Sequence, residues 1–186
     1  QAVYGMPELY REKIKTANIV ACPGCYPTSA ILGAAPLLRT GLVKPSVIVD
    51  SKSGVSGAGR SEKVELLFAE LNENFKAYGL FSHRHTPEIE QEMSKLLDQS
   101  VDVTFTPHLL PINRGILSTI YLDLSEAMTE AEIYQHYIAM YKDEPFVRVV
   151  NELPQISHVK NSNLCEVGIR VDEKRKKVIV VSAIDN

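Results

Sequence analysis

Tryptophan is absent from the 186 residues, and cysteine occurs only three times. So sparse and odd a cysteine set does not build a disulfide-stapled secreted scaffold, so a reducing compartment is expected, cytosol first and an organelle stroma second. No run approaches the roughly 18 apolar residues that a membrane-crossing helix needs. No secretory leader opens the chain; Gln1-Ala2-Val3-Tyr4 reads as an internal start, and the abrupt stop after Ala183-Ile184-Asp185-Asn186 reads as a trimmed end. Neither sign of charge dominates, at a formal net −3, so nothing points to nucleic acid. The one basic cluster, Lys174-Arg175-Lys176-Lys177, lies between two strand-like runs and reads as a solvated hairpin turn. Neither G-x-G-x-x-G nor a P-loop is present, and no metal set either, because Cys165 stands far from the Cys22–Cys25 pair.

What is present is ordinary globular composition, 45% hydrophobic and 23% charged, enough for one well-cored domain over 1–186. Helices are predicted over Pro7 to Lys15, with proline in the first turn, and over Ser29 to Leu38, apolar nearly all round and therefore buried. Two amphipathic helices follow, from Thr86 as N-cap to about Gln99, and from Glu130 to Tyr141. Strands are predicted over Asn18–Ala21, Ser46–Asp50, Val101–His108 and Ile116–Leu124, with a terminal hairpin of Glu166–Val171 and Val178–Ser182. That order predicts an α+β fold, a mixed, mostly antiparallel sheet with helices on one face.

The chemistry concentrates at Cys22-Pro23-Gly24-Cys25-Tyr26-Pro27-Thr28. Cys25 stands between a turn and a buried helix, where unpaired N–H groups and the helix dipole favour thiolate, so a lowered pKa and a nucleophilic role are expected. Two plainer readings compete: a small buried hydrophobe, and a Cys22/Cys25 dithiol. The glycine-rich Ser53–Gly59, flanked by Lys52 and Arg60, can cradle an anion on successive N–H groups or serve as a flexible turn. His83-Arg84-His85, just before a helix, offers an acid/base imidazole and an anion clamp, or a basic surface loop. His108 and Arg114 bracket another loop that could aim at a site, while His136 and His158 look incidental.

The stretch Val20–Thr28 resembles the active-site signature of the N-acetyl-gamma-glutamyl-phosphate reductase family. Four further stretches resemble the same family in the expected order: Asp50–Arg60, Asn72–Tyr78, His83–Gln91 and Pro107–Gly115. Two positions depart from its pattern, Cys22 where asparagine is associated with the family and Ser29 where glycine or alanine is preferred. The resemblance implies a fold akin to the C-terminal domains of aspartate-semialdehyde and glyceraldehyde-3-phosphate dehydrogenases. It implies NADPH-dependent reduction of N-acetyl-glutamyl phosphate to the semialdehyde, in arginine biosynthesis in the cytoplasm, through a thioester on Cys25. A related reductase of another acyl phosphate, of the aspartate-semialdehyde dehydrogenase kind, is the alternative. His83 or His85 would be the acid/base. Arg84, Glu88, Arg114 and Arg60 would bind substrate, and Ser56, Gly57 and Gly59 would approach the cofactor. A dinucleotide-binding domain would hold most of the NADPH outside this chain, so the chain alone is expected to be inactive. A homo-oligomer formed through the sheet is also implied.

Overall fold

A computed structural model describes residues 2–60 and 62–186. In chain order the elements are β1 (Ala2–Tyr4), α1 (Pro7–Lys15), β2 (Ile19–Ala21), α2 (Cys25–Thr40) and β3 (Val43–Ser53). Two 3-10 turns follow, Val55–Ala58 and Val64–Leu66, then α3 (Phe68–Leu71), β4 (Lys76–Ala77), α4 (Thr86–Leu97), β5 (Asp102–Leu109) and β6 (Ile116–Leu124). The chain closes with α5 (Glu130–Tyr141), β7 (Val147–Val150), α6 (Ile156–Val159), β8 (Cys165–Asp172) and β9 (Lys177–Ile184).

Seven strands form one sheet in the order β4-β5-β3-β6-β9-β8-β7. The β3–β5 and β7–β8 pairs are parallel and the other four antiparallel, the mixed and mostly antiparallel arrangement expected. Its register follows from alternation. On β3, Val47, Val49 and Ser51 turn into the core; on β6, Ile116, Ser118, Ile120, Leu122 and Leu124 do the same. Helices α2, α4 and α5 cover that face. The opposite face carries a row across three strands, Ile48 beside Tyr121 beside Ile179, left 46%, 38% and 39% exposed. β1 and β2 form a separate parallel pair joined through α1.

The α2 helix is buried along nearly its whole length because it lies between the sheet and two other helices. It approaches the sheet so closely that a Cβ on Gly33 would meet Ile120 Cδ1 at 2.4 Å. Pro36 inside the helix has no N–H to offer the carbonyl of Leu32, four residues earlier. The buried Tyr141 phenol fills that vacancy, donating to Leu32 O at 2.5 Å, and Tyr137 donates to Gly33 O at 2.7 Å. Tyr141→Phe should therefore strand a buried carbonyl and cost about 1–3 kcal/mol in a denaturant-unfolding measurement; an unchanged midpoint would refute this role for the phenol. The α5 helix opens on a capping box between Thr129 and Glu132.

The predicted start of α4 is corrected by one residue. Thr86 is the first helical residue of α4, and His85, in αR conformation at φ −83°, ψ −14°, is its N-cap without a side-chain cap bond. The reason is a tight turn before it, in which the Thr86 N–H donates to His83 O at 3.0 Å and so draws residue 86 into the helix.

Candidate active site

Cys25 is the first residue of α2, preceded by an extended Gly24 at φ −68°, ψ 160°. The turn is pinned at both faces of Gly24. Its N–H donates to Glu88 Oε1 at 3.0 Å, and its carbonyl accepts from the Thr28 N–H and hydroxyl at 3.0 and 2.9 Å. His85 arrives from α4 and lies directly on this turn: a Cβ added to Gly24 would stand 2.5 Å from His85 Nε2, so only glycine admits the imidazole there. His83 packs beside His85 at 4.9 Å between ring centroids, and its Nδ1 accepts the His85 backbone N–H at 3.1 Å. Tyr26 and Tyr78 complete the wall, their hydroxyls 2.8 Å apart and both rings edge-on to His83.

Burial pushes the Cys25 thiol above its ordinary range, and Glu88 adds to the rise; the N–H groups of Tyr26 and Cys25 and the Arg84 guanidinium pull downward and lose. The expected lowered pKa is thus corrected. The N–H groups at the helix start act as anticipated, but desolvation of the thiolate outweighs them. Burial also pushes both imidazoles down, His83 to about 4, so both are neutral at pH 7. A thiol that keeps its proton and an imidazole free to accept one are the ingredients of a nucleophile and its base.

The other candidate residues divide. Arg84 is exposed but close enough to act on Cys25. Glu88, expected against substrate, is turned to Gly24 and to the Tyr4 phenol, which donates to it at 2.7 Å. Arg114 pairs with Asp185 at 3.3 Å, and Asp185 lines a cavity of 310 Å³ beside Cys25 together with Glu8, Leu32, Phe146 and Asn163. Arg60 is exposed and joins none of these contacts among the described residues. The Ser53–Gly59 turn does not present the free row of N–H groups expected of an anion cradle. Those of Gly54, Val55 and Ser56 already donate to carbonyls of the 112–115 loop. Ser56 donates to Asn186 Oδ1 at 2.9 Å, and a Cβ on Gly57 would meet Asn186 Nδ2 at 2.8 Å. Lys52 pairs with Asp50 at 2.9 Å, and His108 Nδ1 lies 3.2 Å from the same carboxylate, on the uncovered side of the sheet. Cys22 and Cys25, the pair of the dithiol alternative, are both free thiols, Cys22 exposed and Cys25 half-buried at the start of α2. Among the described residues no group of His, Cys, Asp and Glu could hold a metal ion.

A family model described as "Semialdehyde dehydrogenase, dimerisation domain" matches residues 25–186. The chain belongs to that family. Relatives of the chain include the N-acetyl-gamma-glutamyl-phosphate reductases of Desulfotalea psychrophila and Geobacter metallireducens, 58% and 56% identical over the whole chain. The chain spans about half the length of these curated relatives, 55% of each. Its fold is that of aspartate semialdehyde dehydrogenase II from Vibrio cholerae, with a TM-score of 0.76 over all of this chain and 63% of the other, at 15% identity. A probable aspartate-semialdehyde dehydrogenase from Pseudomonas aeruginosa matches 99% of this chain and 63% of its own length, with a TM-score of 0.73 at 17% identity. The expected kinship with the C-terminal domain of such enzymes is borne out. Among the described residues no helix is long and apolar enough to cross a membrane.

Tyr4, Tyr78 and Asn163 belong to this neighbourhood and were not anticipated. Nothing in the local sequence marks Tyr4 or Asn163, and Tyr78, although it ends the Asn72–Tyr78 stretch, carries no sign of a contact with Tyr26, 52 positions away.

Proposed function

We propose that the protein containing this chain reduces N-acetyl-gamma-glutamyl phosphate to its semialdehyde with NADPH, in the cytoplasmic biosynthesis of arginine. The observation that carries the reading is the half-buried sulfur at the start of α2 with the His85 imidazole lying on the residue before it. Neutral His85 takes the Cys25 proton, and the sulfur attacks the acyl carbonyl. Phosphate leaves as the thioester forms, its charge met by Arg84 and Arg114. With NADPH bound, its hydride would reduce the thioester to a thiohemiacetal held on Cys25. The imidazolium of His85 protonates the developing oxyanion, and the neutral ring takes that proton back as the C–S bond breaks and the aldehyde departs. The cavity beside Cys25, with Leu32 and Phe146 as apolar wall and Asn163 at its edge, has room for a planar ring bearing a carboxamide. Ser56, Gly57 and Gly59 would flank the rest of the cofactor.

The names of the relatives support the substrate. The test is the reverse reaction of the full-length protein: NADP reduction driven by N-acetylglutamate semialdehyde and dependent on inorganic phosphate, compared with aspartate semialdehyde. A preference of about 100-fold or more in kcat/KM for the acetylated substrate is expected; equal or opposite preference overturns the assignment. We further infer a homo-oligomer that covers the Ile48–Tyr121–Ile179 row with a second copy, in line with a family described by its dimerisation.

A further inference from the structure

We propose that Glu88 is a positioning residue that clamps the Cys25 turn to the helix carrying His85, rather than a group that touches substrate. This rests on the reading of Cys25 as nucleophile and His85 as its base. One oxygen, Glu88 Oε1, accepts both the Gly24 N–H at 3.0 Å and the Tyr4 phenol at 2.7 Å. The three residues come from separate elements: Tyr4 from β1, Gly24 from the turn after β2, Glu88 from the first turn of α4, three residues beyond His85. Tyr4 is itself seated by strand pairing with Ala21, just upstream of the turn. With the Gly24 carbonyl taken by Thr28, the Glu88 contact leaves the peptide on the N-terminal side of Cys25 little freedom to rotate. Because His85 and Glu88 share one rigid helix end, the clamp sets the distance between sulfur and imidazole. Charge argues the same way. A substrate bearing a carboxylate and a phosphate gains nothing from a third anionic group in its pocket.

The test separates reach from charge. Glu88→Gln keeps an acceptor at the same reach and loses the charge; Glu88→Asp keeps the charge and falls a methylene short. In the full-length protein we expect Glu88→Asp to raise amide exchange at Gly24 by about tenfold and to lower kcat by about 100-fold with KM little changed. Glu88→Gln should stay within about threefold of the parent in both. Tyr4→Phe, which removes one of the two contacts, should fall between. The opposite ranking, with Asp tolerated and Gln impaired, overturns the proposal, as does a rise in KM with kcat intact in both variants. Gly24 exchange is blind to substrate, so a parent protein inactive on N-acetyl-gamma-glutamyl phosphate would sink the reductase reading while the clamp was still decided by exchange alone.

Discussion

Cys25→Ser is expected to lower kcat of the full-length protein by about 10⁴-fold or more while NADPH still binds. Three steps fail together. A serine hydroxyl gives up its proton far less readily than a thiol, so His85 can no longer generate the nucleophile. The oxygen attacks an acyl phosphate more slowly, and the oxyester it would form accepts hydride less well than a thioester. Nothing around the site compensates, because the backbone N–H groups of residues 25 and 26 are at the sulfur already and were insufficient to lower its pKa. NADPH oxidation under single-turnover conditions measures the loss, and a fluorescence titration the retained binding. Turnover within tenfold of the parent would end the covalent mechanism. A labelling series provides the companion measurement in a Cys22→Ser background. Cys165 is fully buried, with its thiol pushed up to about 12 by desolvation, whereas Cys25 is half-buried at the edge of a cavity. Iodoacetamide at neutral pH should therefore reach Cys25 at least about tenfold faster, with a rate that keeps climbing beyond the pH at which an ordinary thiol levels off.

The elements legible in the sequence are those whose signals are local. Pro7–Lys15, Ile116–Leu124 and Glu130–Tyr141 match the structure residue for residue, since a proline-led first turn, a run rich in β-branched and aromatic residues and a 3.6-residue stripe each mark an element unaided. The start of α2 was obscured because Pro23, Gly24 and Pro27 together look like a turn. Pro27 sits in the first helical turn, where its missing N–H costs nothing, so the helix starts at Cys25 rather than near Ser29. The strands β1, β4 and β7 have two to four residues, too few for a periodicity, and exist through pairing with partners elsewhere. The site divides in the same manner. Cys25 and the 83–85 segment could be read because each lies in a compact motif next to a helix start. The choice of His85 over His83 needed the third dimension, where one imidazole lies on Gly24 and the other backs onto two tyrosines. The Glu88 contacts join residues 64 and 84 positions apart, a separation no spacing rule reaches. The sign of the Cys25 shift was misjudged for a related reason: helix-start N–H groups are visible in a sequence, but the desolvation that opposes them is set by everything packed around the thiol.

His85→Asn should reduce kcat by about 10²–10³-fold, and His83→Asn by no more than about tenfold. The difference follows from position. His85 Nε2 faces the residue next to the nucleophile. His83 spends its Nδ1 on the His85 N–H and its ring on Tyr26 and Tyr78, so it supports the working imidazole without reaching the sulfur. The pH dependence follows from the same burial. The His85 pKa is lowered by desolvation, and Arg84 contributes in the same direction against an opposing Glu88. A base works only when unprotonated, so activity should be level through neutrality and decline as pH falls below about 6.5, the ordinary histidine value, with its midpoint on the acid side of that value. Raising the pH toward the Cys25 titration should not abolish activity, since a thiol that ionises by itself no longer needs the proton to be taken. In His85→Asn the acid limb should vanish, and the residual rate should rise with pH as thiolate forms unaided. Were His83→Asn instead to erase the acid limb, with His85→Asn retaining it, the roles of the two imidazoles would have to be exchanged, and with them the claim that proximity to Gly24 identifies the base.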